Sequence, residues 1–167
     1  MNIQLGMVGV HDPLGPDGYG YYIYDSGDSS YDLAPTYDWI ELDDGLGTQI
    51  NLDDDGNANG SNLTEIVSIP FTFKFYGIDY DEITVCTNGW IAFGYTEMES
   101  FRNYSIPGAG GPSPMLAAFW DDLETTSSGD VFTYVDDNNE HIIIEWSEMR
   151  THSYNSLETF QIILYND

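Results

Sequence analysis

Basic residues are almost missing from this chain. Its 167 residues include three Lys and Arg (Lys74, Arg102 and Arg150) against 29 Asp and Glu, and the formal net charge is -26. Proteins neutralise nucleic-acid phosphates with Lys and Arg, and anionic lipid surfaces repel a chain as acidic as this one. The composition therefore excludes nucleic acid and anionic membranes as partners. The repulsion among so many negative charges within one folded chain must also be offset, by salt or by bound divalent cations.

Cysteine and long apolar runs are also scarce. Cys86 is the single cysteine, so no disulfide can form within the chain, and its alternating neighbours predict a buried strand residue. No apolar run approaches the roughly 20 residues that a membrane-spanning helix needs. Residues 1–10 lack the basic start and the cleavage site of a signal peptide, so we expect any export signal to lie outside this chain.

Motifs of catalysis are missing as well. His11, His141 and His152 do not have the spacing of a zinc site, and neither a nucleophile elbow nor a phosphate-binding Gly-Lys-Ser/Thr loop occurs. Glu145 and Glu148 could be offered as a glycosidase pair, but an acidic β protein supplies such pairs by chance. We therefore predict that the protein is not an enzyme.

The residues that are abundant predict a β protein with a substantial core. Hydrophobic residues make up 41% of the chain and aromatic residues 15%, which argues against disorder. Short β-branched and aromatic runs recur between Gly, Asp, Asn and Pro, and Asn88-Gly89 favours a tight hairpin. This pattern predicts an all-β fold, specifically an antiparallel, jelly-roll-like β-sandwich. The predicted strands span residues 3–10, 19–25, 37–42, 65–76, 80–87, 89–94, 114–120, 130–136, 141–149 and 158–166.

Acids and glycines are concentrated ahead of the dense aromatic strands. Residues 11–64 are acidic and loop-rich, whereas residues 65–167 contain most of the aromatic strand segments. We interpret residues 1–167 as a single β-sandwich domain whose acidic N-terminal portion packs on a β core. An appended subdomain is the alternative.

Two acidic stretches predict calcium sites. Calcium takes about six to eight oxygen ligands, and Asp or Asn on glycine-containing turns supplies them. The predicted ligands are Asp17, Asp25, Asp28 and Asp32 in the first stretch and Asp53, Asp55 and Asn57 in the second. The alternative interpretation is that these side chains form turns by hydrogen-bonding their own backbone.

A third acidic site follows the apolar segment 116–120. Successive strand residues point to opposite faces, so only one of Asp121 and Asp122 would face inward. A buried carboxylate is costly unless it is paired or ligated. Asp121 is therefore a further candidate metal ligand.

Two features point towards glycans. Asn59, Asn62 and Asn103 begin Asn-x-Ser/Thr sequons and are candidate glycosylation sites. Residues 19–24 include four tyrosines, whose rings could stack on sugars, so glycans are also a candidate partner.

A set of motifs in the second part of the chain includes Thr87-Asn88-Gly89-Trp90 and Phe119-Trp120-Asp121-Asp122. The set is spread over residues 69–77, 85–94, 112–122, 144–146 and 158–165. Together these motifs resemble the nidogen-like β domains of secreted proteins. Residues 15–22 and 34–40 are similar to accessory modules of large secreted bacterial proteins, often attached to gingipain- or subtilisin-type peptidases. The resemblance implies a non-catalytic β-sandwich for adhesion, targeting or assembly, with a further strand after the apolar segment 159–165.

The acidic stretches and the resemblance together predict a calcium-stabilised extracellular or cell-surface module. Its expected ligand is Ca²⁺, and its expected partners are other copies of itself or neighbouring domains of a larger surface protein. The alternative is a subunit of an extracellular filament, in which strand Ile3–Val10 of one chain completes the sheet of its neighbour. A carbohydrate-binding module is a third interpretation.

Overall fold

The chain forms two compact units, Met1–Ile40 and Glu41–Asp167. The structure is a computed structural model that describes residues 9–56, 62–125, 128–138 and 140–166. The nine strands of these described residues all lie in the second unit. The boundary between the units falls at residue 40, earlier than the change in composition near residue 64.

Five strands of the second unit form one antiparallel sheet. The strands are β1 (Thr48–Gln49), β6 (Leu123–Glu124), β7 (Asp130–Val135), β8 (His141–Thr151) and β9 (Leu157–Tyr165). Strand β8 is central: β9 pairs with one of its edges, and β7 and then β6 pair with the other edge. Strand β1 pairs with β7.

The other four strands are β2 (Thr64–Phe75), β3 (Ile78–Cys86), β4 (Trp90–Phe93) and β5 (Met115–Ala117). They form an antiparallel meander in this order. The predicted hairpin joins β3 to β4, where Gly89 has φ 77°. A Cβ at Gly89 would lie 1.9 Å from the carbonyl oxygen of Phe119, so both the turn and the close approach require glycine.

The hydrophobic core of the second unit is built from both sheets. Ile83 of the meander belongs to the same buried cluster as Ile142, Ile144 and Trp146 of β8. The indole Nε1 of Trp146 donates a hydrogen bond of 2.8 Å to the carbonyl oxygen of Cys86 on β3. Cys86 itself is fully buried, as predicted. These contacts confirm the predicted all-β, antiparallel sandwich.

Two predicted strands of the acidic portion are wrong. Residues 19–25 contain only an isolated bridge, in which Ile23 pairs with Leu14, and residues 37–42 are not a strand. In the first segment the Asp17 carboxylate accepts hydrogen bonds from the backbone N–H groups of Tyr19, Gly20 and Tyr21, which curls the chain into a turn. Of the predicted strand 3–10, residues 3–8 lie outside the described residues and residues 9–10 are not in a strand.

Candidate metal centre

One face of strand β8 points away from the core and is covered by the segment 41–47. Ile142, Ile144 and Trp146 face the core, so strand alternation places Glu145 on the opposite face. Leu42 of the covering segment is fully buried. Gly47 allows the segment to lie close to the sheet, because a Cβ there would be 3.1 Å from the Cβ of Phe132 on β7. The result is a carboxylate enclosed on the outer face of a central strand.

Glu145 is held through one of its two carboxylate oxygens. Its Oε2 accepts a hydrogen bond of 3.2 Å from the backbone N–H of Leu42 and another from Nε2 of Gln161, its cross-strand partner on β9. Its Oε1 is buried without a hydrogen-bond partner among the described residues. Burial, together with the nearby Glu41 carboxyl, raises the pKa of Glu145 to about 7. The ionised form of Glu145 is therefore electrostatically unfavourable in the folded protein.

Two further carboxylates lie beside Glu145. One ligand atom from each of Glu41, Asp43 and Glu145 falls within 4.8 Å of the others. Glu41 and Asp43 are exposed, while Glu145 is fully buried. The Oγ of Ser147 donates a hydrogen bond of 2.7 Å to Oδ2 of Asp43 and so orients that carboxylate. In the described part of the chain, this is the one group of three or more His, Cys, Asp or Glu side chains with metal-like spacing.

A second buried glutamate has the opposite surroundings. Glu124 of β6 is 2% exposed, and its carboxylate pairs with Nη2 of Arg150 and with Nδ1 of His152. The hydrogen bond to Glu124 and the negative charges of Asp122 and Glu124 raise the pKa of His152. Burial raises the pKa of the nearby Asp54 carboxyl, and the charges of Asp122 and Glu124 act in the same direction. Basic side chains of the protein itself thus compensate the Glu124 charge.

The first predicted calcium stretch consists of turns in the N-terminal unit. Besides Asp17, Asp25 also uses its carboxylate locally, accepting a hydrogen bond of 2.6 Å from the N–H of Gly27. Asp28 is 2% exposed, and its Oδ2 accepts the N–H of Asp25 at 2.8 Å. Asp32 is exposed. These contacts are the turn-forming interactions of the alternative interpretation, and calcium ligation by these residues stays a prediction.

The remaining predicted ligands lie in the second unit. Asp53 forms an isolated bridge with Asn62, and Asp55 is exposed. The Oδ1 of Asp121 accepts the N–H of Asp122 at 2.8 Å. Asn57 lies outside the described residues. None of these predicted ligands belongs to the group around Glu145, and their ligation also stays a prediction.

The candidate glycan features are distributed over both units. In the N-terminal unit, the rings of Tyr19 and Tyr21 stack on each other at 5.3 Å, and both residues are exposed. In the second unit, Asn103 is exposed, whereas Nδ2 of Asn62 donates hydrogen bonds to the carbonyl oxygen of Asn51 and to Glu65. Asn59 lies outside the described residues.

Sequence reasoning did not find Glu41, Asp43 and Glu145 as a group. A local signal was present, because Glu145 stands alone within the apolar run Ile142-Ile143-Ile144-Glu145-Trp146. A single carboxylate at the centre of a buried strand indicates either a compensating partner or a ligand. Its neighbours Glu41 and Asp43 come from a distant part of the chain, and nothing local connects them to β8.

A family model matches most of the chain. A family model described as "NIDO related" matches residues 31–167, which is more than half of the chain. No curated protein and no solved structure matches the chain. In the part of the chain that the structure describes, no helix is both long and apolar enough to cross a membrane.

Proposed function

The chain belongs to the NIDO-related (nidogen-related) family, and on that premise we propose that it is a non-catalytic module of a secreted or cell-surface protein. The module is stabilised by calcium and acts in adhesion, scaffolding or assembly, through contacts with other copies of itself or with neighbouring domains. The sandwich supplies a rigid body, and cations offset its charge.

The observation that supports a role for cations is the charge balance of the folded chain. Because 29 acidic residues face three Lys and Arg, at least 29 − 3 = 26 of them have no Lys or Arg of their own. Some of these acids are inside the fold, where water does not screen them: Asp54 is 8% exposed and Glu145 is fully buried. Hard divalent cations such as calcium bind carboxylates directly and so reduce this excess of negative charge.

Thermal unfolding of the intact chain tests this proposal. We expect the melting temperature to rise with calcium concentration when total ionic strength is held constant with NaCl. A ligand that binds only the folded state at about 100 times its Kd adds about 2.7 kcal/mol. Magnesium at the same concentration is the control for general screening, and we expect it to have a smaller effect. An unchanged melting temperature between calcium and chelator would contradict the proposal.

A second candidate function is a subunit of an extracellular filament. Strand β9 supports it, because among the described residues β9 pairs with β8 alone and its other edge bears no strand. Leu157 and Tyr165 at its two ends are 55% and 57% exposed. An apolar edge of this kind can accept a strand from another chain. The proposed donor segment, Ile3–Val10, lies largely outside the described residues.

Sedimentation velocity in calcium and in chelator distinguishes the two candidates. A filament subunit gives large, polydisperse species that grow with protein concentration, whereas a separate module gives a compact monomer. The double variant Leu157→Lys with Tyr165→Lys places charge along the β9 edge, and we expect it to remove the large species if they form by strand pairing. Large species that persist in this variant would exclude β9 as the docking edge.

A further inference from the structure

Three carboxylates come together on the outer face of β8. We propose that Glu41, Asp43 and Glu145 together bind a single Ca²⁺ ion, which fastens the segment 41–47 to the outer face of β8. This inference rests on the proposed calcium-stabilised function and assigns a site to it. The site differs from every ligand set that the sequence predicts.

Three carboxylates from two separate parts of the chain converge at this site. Glu41 and Asp43 come from the covering segment and Glu145 from the central strand, yet one oxygen of each lies within 4.8 Å of the others. Oxygens that surround one calcium ion at about 2.3–2.6 Å are separated from one another by distances of this order. When these carboxyls are ionised, like charges this close repel each other, and a cation between them removes that repulsion.

One atom of Glu145 indicates a ligand independently of this clustering. Glu145 is fully buried, and its Oε1 has no hydrogen-bond partner among the described residues. A buried polar atom without a partner costs about 1–3 kcal/mol, and more when the group is charged, so folded proteins rarely retain one. A cation bound by Oε1 supplies the missing interaction and compensates the buried charge at once.

The surroundings of the three carboxylates fix them for such a role. Leu42 N–H and Gln161 hold Oε2 of Glu145, which leaves Oε1 for the ion. Ser147 holds Oδ2 of Asp43, which leaves Oδ1. Hydrogen bonds to the second oxygen of a ligating carboxylate orient the ligand before the metal binds. Both exposed members, Glu41 and Asp43, give the ion a path from solvent.

The donor set favours calcium over other cations. All three ligands are hard carboxylate oxygens, with no His or Cys, which disfavours zinc and copper. Magnesium keeps several waters and uses about one or two carboxylates, whereas calcium accepts three together with water on the exposed side. We therefore expect selectivity for calcium over magnesium.

Calcium titration by calorimetry tests the assignment on the intact chain, after removal of metal with chelator and at pH 8. The informative variants are Glu41→Gln and Asp43→Asn, because both side chains are exposed and the core is left intact. We expect each to weaken one calcium site at least tenfold or to lose it. The matched control is Asp81→Asn, which removes one negative charge from an exposed position of β3 in the other sheet and should bind calcium like the wild type.

Glu145→Gln provides a second readout that a purely structural carboxylate would not give. The amide can keep its oxygen towards Leu42 N–H and Gln161, and its NH₂ then donates towards Glu41. We expect this variant to fold and, in chelator, to melt at a temperature equal to or above that of the wild type. Calcium should not raise its melting temperature through this site.

The outcomes separate the inference from the proposed function. If calcium raises the melting temperature of the wild type, and Glu41→Gln and Asp43→Asn respond as strongly as Asp81→Asn, the ion binds elsewhere and only this assignment is wrong. If the wild type neither binds calcium nor is stabilised by it, both the assignment and the proposed function are wrong. Loss of binding in the three site variants, with normal binding in Asp81→Asn, supports both.

Discussion

Glu124 and Glu145 are both buried in the same five-stranded sheet, but the charges around them are opposite. Glu124 lies beside Arg150 and His152, whereas Glu145 lies beside Glu41 and Asp43. The chain has so few basic residues that it compensates one buried carboxylate with its own side chains and surrounds the other with acids.

The contrast between these two glutamates shows that the density of acidic residues alone does not locate a cation site. A carboxylate on a turn, such as Asp17, accepts backbone N–H groups and remains in water, so its charge needs no further partner. A carboxylate inside the sheet loses that water and must be compensated by a charge nearby. The buried residues therefore indicate the cation site better than the density of acids along the sequence does.

The largest expected effect comes from breaking the compensated pair. Arg150→Met leaves Glu124 buried with His152 as its remaining basic partner. We expect the free energy of unfolding to fall by about 2–3 kcal/mol, because a buried carboxylate loses its ion pair. The loss is smaller than for a fully buried pair, since the Arg150 side chain is partly exposed. Urea unfolding measures the loss, which should be the same in calcium and in chelator. The double variant Glu124→Gln with Arg150→Met should recover much of it, and a failure to recover would contradict the pairing.

The next prediction concerns Glu145, where we expect a substitution to stabilise the protein rather than destabilise it. Glu145→Gln removes a charge that the chain does not compensate, so at pH 8 in chelator we expect the free energy of unfolding to rise by about 1–3 kcal/mol. Urea unfolding in chelator measures this change. A destabilised Glu145→Gln in chelator would mean that the ionised carboxylate is itself favourable in the fold.

A smaller effect concerns the pH dependence of the Glu124 group. The folded-state pKa of His152 is raised, so its contribution to stability is fully present below the unfolded value of about 6.5 and is lost as pH rises through the folded value. We expect the wild type to lose more stability than His152→Gln when pH is raised across that window. Thermal melts from pH 6 to pH 9 measure it, and parallel curves for the two proteins would contradict the interaction with Glu124.

The smallest effect is expected in the N-terminal unit. Asp17→Asn keeps an oxygen that can accept the N–H groups of Tyr19, Gly20 and Tyr21, so we expect a change of less than about 0.5 kcal/mol in stability. Calorimetry of this variant also tests the sequence-based prediction that Asp17 binds calcium. A reduced number of bound ions would favour that prediction, and an unchanged number would leave Asp17 as a turn-forming residue.

Features set by local geometry could be predicted from the sequence. The turn at Asn88-Gly89 follows from the positive φ that glycine adopts, and the turn after β7 follows from Asp136, whose carboxylate accepts the N–H groups of Asn138, Glu140 and His141. The runs of β-branched and aromatic residues likewise predicted the long strands of both sheets. These signals act over a few residues and need no knowledge of the rest of the fold.

Features set by distant contacts could not be predicted. Leu42 and Glu145 are 103 residues apart in the chain, so nothing in the sequence indicates that segment 41–47 covers β8. Residues 37–42 show strand-like composition but form no strand, because composition alone does not decide whether a segment joins a sheet. The candidate metal centre depends on this covering segment, which is why the carboxylates of Glu41 and Asp43 were not connected with Glu145.

A crystal of the intact chain soaked in terbium shows whether one cation lies between Glu41, Asp43 and Glu145. Terbium occupies calcium sites and scatters anomalously, so its position can be read without a search for ligands. We predict an anomalous peak about 2.3–2.6 Å from an oxygen of each of the three carboxylates. Peaks at the N-terminal Asp turns, with none at Glu145, would contradict the account.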